Sequence, residues 1–160
     1  FFVMQPFIVD GSSMEPNFQN GNYLIVDELS YRFKDPVRGD VIVFHSPQNY
    51  KIFFIKRIIG LPGEKVKIND NKITIYNKSH QNGFVLNEPY IHNGNRIWIG
   101  NTSVKLNNNQ YFVMGDNRLN SYDSRYFGPI LKNRIVGVVK LRLWPLSVIK
   151  IFSTHKYVIS

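Results

Sequence analysis

The chain has 160 residues, with 20 Lys and Arg against 11 Asp and Glu for a net charge of +9, and no cysteine. That length suits one domain, and 43% hydrophobic with 14% aromatic residues provides a core, which excludes a disordered chain. The missing cysteines exclude disulfides, thiolate zinc sites, iron–sulfur clusters and a cysteine nucleophile. The charge is uneven: residues 1–80 hold 10 basic and 8 acidic side chains, residues 81–160 hold 10 and 3, and no acid follows Asp123. The late basic residues stand singly among apolar ones instead of forming phosphate-tracking runs. No nucleic acid is therefore expected as a partner, whereas an anionic membrane surface or a plain solvated face both fit.

In chain order, seven of the nine residues from Phe1 to Val9 are apolar. No run reaches the roughly 20 apolar residues that cross a bilayer. The stretch reads either as the tail of a removed span or as a first strand, Pro6 interrupting any helix. No signal peptide is expected in these residues, which lack a basic start and a small-residue cleavage site. Segments rich in β-branched and aromatic residues follow at 23–26, 40–44, 52–59, 66–68, 72–76, 111–114 and 135–143, punctuated by Gly, Pro, Asn and Asp. Only 146–152 has helical spacing. The expected fold is mostly β, with coiled antiparallel sheets in a barrel-like core. Eleven Asn fall between 69 and 110. They suggest a small β-hairpin subdomain at 69–110, a surface feature and not chemistry, inserted in a core of 1–68 and 111–160 that forms one structural unit with it.

The four histidines, 45, 80, 92 and 155, show no metal-ligand spacing and lie among loop residues, so they read as surface or structural; no metal or cofactor is expected. Neither GxGxxG nor GxxxxGK[ST] occurs. Three stretches are richer. Val9-Asp10-Gly11-Ser12-Ser13-Met14-Glu15-Pro16 surrounds hydroxyls with small residues, so that a substrate backbone can approach. In the stretch from Phe54 to Glu64, strand alternation puts Phe54, Lys56 and Ile58 on one face. A lysine between apolar neighbours either snorkels to water or, buried, loses basicity and becomes a general base. The third, Met114 to Gly128, packs Asp116/Arg118 and Asp123/Arg125 as charge-pair candidates into one loop with Ser121 and Ser124.

The ordered set Gly11-Ser12-Ser13-Met14-Glu15-Pro16, Arg38-Gly39-Asp40-Val41-Ile42-Val43-Phe44, Lys56-Arg57-Ile58-Ile59-Gly60-Leu61-Pro62-Gly63-Glu64, Gly115-Asp116-Asn117-Arg118 and Ser121 with Asp123-Ser124-Arg125 closely resembles type I signal peptidases. The resemblance runs from about Pro6 to Pro145. It implies a membrane-anchored serine endopeptidase of mostly β fold that uses a Ser/Lys dyad to remove signal peptides from exported preproteins. By position, Ser13 matches the nucleophile, Lys56 the general base, Ser121 the hydroxyl orienting the lysine, and Asp123 with Arg125 a supporting ion pair. Phe7, Val9, Met14, Leu24 and Ile55 match the substrate-binding positions, apolar as selection of Ala-x-Ala-like sites requires. Two departures stand out: Gly11 occupies a place where some members carry a Ser that donates to the oxyanion, and Asn17 replaces a frequent Thr.

The resemblance also implies a catalytic domain on the outer side of the plasma membrane, with an N-terminal anchor missing or truncated here. The basic, apolar Leu141-Arg142-Leu143-Trp144-Pro145-Leu146 suits contact with anionic lipid. Two other readings compete. A self-cleaving repressor-type Ser/Lys peptidase needs an Ala-Gly or Cys-Gly bond, and the chain contains neither Ala nor Cys. A non-catalytic basic β-module would bind lipid or nucleic acid.

Overall fold

A computed structural model describes residues 4–92, 100–144 and 150–151. The β-branched segments form β1 (Met4–Ile8), β2 (Tyr23–Asp27), β3 (Val41–His45), β4 (Phe53–Gly60), β5 (Lys65–Asn69), β6 (Lys72–Tyr76), β7 (Phe84–Val85), β8 (Asn101–Lys105), β9 (Gln110–Met114), β10 (Ile130–Leu131), β11 (Ile135–Trp144) and β12 (Lys150–Ile151). Two single-turn helices, α1 (Ser30–Phe33) and α2 (Ser124–Phe127), join them. Pro6 lies in β1, which ends its sheet and pairs on one side only, with β2. An edge strand tolerates a proline because the missing N–H is not needed there.

The larger sheet runs β1-β2-β11-β3-β4-β9-β10, with β12 paired to β11, and every pairing is antiparallel. The ten-residue β11 bridges β2 and β3, and its register slips against both. Such bulges increase the local twist and curl the sheet. The result is the mostly β, coiled architecture expected from the sequence. Residues 150–151 are a correction: they form a strand against Leu141 and Arg142 instead of continuing a helix from 146. The open edge of β11 offers backbone partners that a weak helical periodicity does not. The rest of that proposed helix, apart from these two residues, lies outside the described residues.

A smaller sheet, β7-β6-β5-β8, is built from hairpins. It takes in β5 and so begins at Lys65, ahead of the Asn-rich stretch from 69 to 110. In β5, Val66 and Ile68 point inward and the flanking Lys65, Lys67 and Asn69 outward, the period-two pattern of a half-buried strand. The small sheet does not close its own core. Val66, Ile68, Ile73, Ile75 and Phe84 pack in one cluster with Ile59, Phe112 and Met114 of β4 and β9. Two further clusters line the large sheet. One contains Val9, Met14, Phe18, Leu24 and Val43, and the other Ile42, Phe44, Ile58 and Val113.

Candidate active site

β4 pairs with β3 in a register that sets Ile42 opposite Lys56 and Val43 opposite Ile55. This central strand carries Lys56 under cover: the residue is only 4% exposed. Its ammonium nitrogen does not snorkel to solvent. Lys56 Nζ donates to Ser13 Oγ at 2.8 Å and to the Ile55 carbonyl at 2.9 Å. Burial pushes the lysine down to about 8 from its ordinary 10.5, against a partial upward pull from the Asp123 and Asp116 carboxylates. A readily neutralised amine therefore touches the serine hydroxyl.

Ser13 stands on the turn that leaves β1. The turn is tied to the chain by Glu15 N–H to Ser12 O at 3.1 Å and Phe18 N–H to Met14 O at 2.9 Å. Among the described residues the Ser13 N–H has no intramolecular acceptor. Gly11 opens the turn at φ +97°, with nothing within 4 Å of where a Cβ would stand. There is room for a side chain there, but the backbone conformation is one that L-residues adopt at a cost. Glycine takes that conformation without the cost. Asn17 is put to use, its Nδ2 donating to Asp116 Oδ2 at 2.8 Å and to the Tyr90 carbonyl at 2.9 Å.

Below the serine lies the loop after β9. Asp123 is wholly buried. It accepts from Gly115 N–H at 2.9 Å, Ser121 Oγ at 2.7 Å and the Arg125 guanidinium at 2.8 and 2.9 Å. The Ser121 hydroxyl thus commits its proton to Asp123, and the hydrogen bonds of Lys56 run to Ser13 and Ile55. Gly115 is where the loop meets the nucleophile turn: a Cβ on it would stand 2.2 Å from Ser121 Oγ and 2.4 Å from the Ser13 carbonyl oxygen. Only glycine permits that approach.

The charge pairing inside this loop differs from the one suggested by sequence spacing. Asp123 does hold Arg125, but Asp116 pairs with Arg57 of β4, at 2.8 and 2.7 Å, and Arg118 turns to Glu88. The reason is register: Arg57 lies opposite Met114 across β4 and β9, two residues before Asp116. Arg57 also stacks on Tyr90, 4.0 Å from the ring centre. Glu88 and Tyr90 belong to the Asn-rich stretch, so that stretch is more than a surface feature: it braces the site from below. Of the described histidines, His45 stands against Tyr50, His80 against Asn77 and Phe84, and His92 is exposed.

A cleft of about 110 Å³ opens beside the Ser13 and Lys56 pair, lined by Phe7, Ile8, Val9, Asp10, Leu24, Val43, Phe53, Phe54 and Ile55. Four of the five residues expected to bind substrate, Phe7, Val9, Leu24 and Ile55, line it. Met14 lies beneath, nearly inaccessible in the core, its sulfur accepting from Asp116 N–H at 3.4 Å. Sequence reading did not find Val43, Phe53 and Phe54. Phe7 and Phe53 meet edge to face at 5.3 Å across the cleft. The β3–β4 pairing of Val43 with Ile55 was the signal available for the first of them. Arg142, placed by sequence on a lipid-facing stretch, instead turns a guanidinium nitrogen to the Asn17 carbonyl at 2.7 Å.

A curled β-domain in which a serine hydroxyl meets a buried lysine beside an apolar cleft has the arrangement a serine hydrolase requires. The sequence profile of the signal peptidase, peptidase S26, family matches residues 1–144, and the chain belongs to that family. It is 39% identical over 150 residues to Probable signal peptidase I-2 of Synechocystis sp., covering 91% of this chain and 65% of that protein. It is 41% identical over 144 residues to Signal peptidase I V of Bacillus subtilis, covering 86% and 84%. A crystal structure of a signal peptidase I from Enterococcus faecalis aligns with a TM-score of 0.56 at 35% identity, over 66% of this chain and 97% of that one. The chain is thus a hydrolase of the signal peptidase I type.

Proposed function

We propose that Ser13 and Lys56 form a Ser/Lys dyad that cuts signal peptides from exported preproteins after small-x-small sites of the Ala-x-Ala kind. The observation carrying this reading is the 2.8 Å hydrogen bond between Lys56 Nζ and Ser13 Oγ beside an apolar cleft. Neutral Lys56 takes the hydroxyl proton as Oγ attacks the scissile carbonyl carbon, and returns it to the leaving amine. Lys56 then takes a proton from water as the water oxygen attacks the acyl-Ser13 ester, and returns it to Ser13 Oγ as the acyl–Oγ bond breaks and the acid product leaves. The partnerless Ser13 N–H donates to the oxyanion. Ser121, which donates to Asp123 while the Lys56 bonds run to Ser13 and Ile55, is assigned the role of accepting from the ammonium that forms during attack, and Asp123 with Arg125 keeps this loop in place. Phe7, Val9, Leu24, Val43, Phe53 and Ile55 confine the substrate side chains, with Met14 as backing. One methylene changes such binding by only about 1–3 kcal/mol, so large side chains are rejected by the shape of the walls.

In this reading the domain works on the extracytoplasmic side of the plasma membrane, against anionic lipid and without nucleic acid. Exposed Met4, Ile8, Tyr23 and Ile151, all on the β1–β2–β11–β12 end of the sheet, support a lipid-facing surface.

The test is cleavage of a peptide spanning an Ala-x-Ala site. Ser13→Ala and Lys56→Ala are each expected to lose at least about 10³-fold in kcat, as nucleophile and base act as one unit. Undiminished cleavage by either variant overturns the dyad. Because only neutral lysine accepts the proton, kcat/KM is expected to climb with pH towards a plateau above about 8.

A further inference from the structure

We infer that Asn117 is a positioning residue that aims the oxyanion-binding N–H of Ser13, an inference that rests on the dyad reading above. Asn117 is 6% exposed and reaches the nucleophile turn twice. Its backbone N–H donates to the Ser13 carbonyl at 2.9 Å, and its Nδ2 to the Ser12 carbonyl at 3.1 Å. Both peptide planes flanking Ser13 are therefore tied to Asn117, which shares the Ser12 carbonyl with the Glu15 N–H. The Ser12 carbonyl and the Ser13 N–H belong to the same peptide unit, which is trans, the cis bond of this turn lying at Glu15–Pro16. In a trans peptide the C=O and N–H point in opposite directions. An amide that captures the carbonyl turns the N–H away from itself, and this is the N–H that has no acceptor among the described residues.

The side chain gives up a bond to do so. Asn117 Oδ1 is buried and accepts no hydrogen bond among the described residues. A buried polar atom without a partner asks for a reason. Turning the amide over would set Oδ1 against the Ser12 carbonyl, acceptor facing acceptor. Donation to Ser12 thus selects the orientation that leaves Oδ1 alone. Sequence reading passed over Asn117 because its charged neighbours, Asp116 and Arg118, drew the chemistry to themselves.

The experiment compares Asn117→Ala and Asn117→Asp with Ser13→Ala on the same peptide. The aspartate keeps the shape of the side chain and replaces the donor with an acceptor, so it reports on hydrogen bonding if the alanine variant folds poorly. Loss of an aimed oxyanion donor is worth about 10²–10³-fold in kcat. Both Asn117 variants are expected to lose about 10²-fold in kcat with KM within twofold. Affinity for a peptide aldehyde, which adds to Ser13 Oγ and places an oxygen in the oxyanion position, should fall by a similar factor. Affinity for the cleaved N-terminal product peptide should stay the same. Full activity of Asn117→Asp, or a kcat loss with unchanged aldehyde affinity, overturns the inference while leaving the dyad intact. Cleavage by Ser13→Ala overturns the dyad and this inference together.

Discussion

A lysine with 4% exposure on a central strand is costly to keep charged. The folded chain holds Lys56 down at about 8 against an ordinary 10.5. Between those values the unfolded chain binds a proton that the folded chain does not, so this residue makes stability rise with pH across that window. Below it both states are protonated and the full penalty for burying the ammonium applies. Lys56→Met is accordingly expected to stabilise the protein most below pH 8 and progressively less towards pH 10.5. Urea midpoints of the two proteins at pH 7 and pH 10 check this; an equal gap at both would contradict it. Gly115 makes a second argument at this scale. The atom 2.4 Å from its missing Cβ is a backbone oxygen of Ser13, which cannot swing aside as a side chain would. Gly115→Ala must move the nucleophile, and displacement of a reacting group by about 1 Å costs about 10²-fold. A kcat within a few-fold of the parent would show that the turn absorbs the methyl group.

At the scale of elements, β4 puts adjacent residues to separate uses, Lys56 toward Ser13 and Arg57 toward Asp116. Strand alternation made that division legible from the sequence. The partner of Arg57 was not legible, because it depends on which strand lies alongside. The nucleophile turn, β4 and the loop after β9 meet here: Asn17 and Arg57 both bond Asp116, and Asn117 bonds Ser12 and Ser13. Asp116→Ala would leave the Arg57 guanidinium buried without its carboxylate. Breaking such a pair costs about 3–5 kcal/mol, or roughly 6–20 °C in melting temperature for a chain of this size. Thermal unfolding followed by circular dichroism measures it. The Glu88–Arg118 contact and the burial of Ile73 and Ile75 against Ile59 and Phe112 tie the Asn-rich stretch, read from sequence as a β-hairpin subdomain, to the core.

For the whole molecule, the proposed lipid surface draws on the net charge of +9 and on the apolar residues exposed at one end of the sheet. Lys and Arg near an anionic surface contribute about 1 kcal/mol each and are screened by salt, while exposed Met4, Ile8 and Ile151 add an apolar contribution that salt leaves in place. The chain is expected to sediment with vesicles containing phosphatidylserine at low salt, less at high salt, and poorly with neutral vesicles. No co-sedimentation at low salt would remove the lipid surface from the proposal.

The amino-acid sequence alone determined the mostly β class, most of the strands, and the order of boxes that brought Ser13, Lys56, Ser121, Asp123 and Arg125 forward. The strands follow from local properties, side-chain alternation and turn residues, whereas the roles of the site residues came from the resemblance of the ordered boxes to type I signal peptidases. Which ionic partner each arginine takes, that Met14 sits under the cleft while Phe53 lines it, that 150–151 extend a sheet, and that Asn117 holds both peptides of the nucleophile were decided only by tertiary structure. Each depends on the register between β-strands remote in the chain and on the curl of the sheet. A period-two pattern states which face a residue occupies, but the neighbour across that face is chosen when the whole sheet closes.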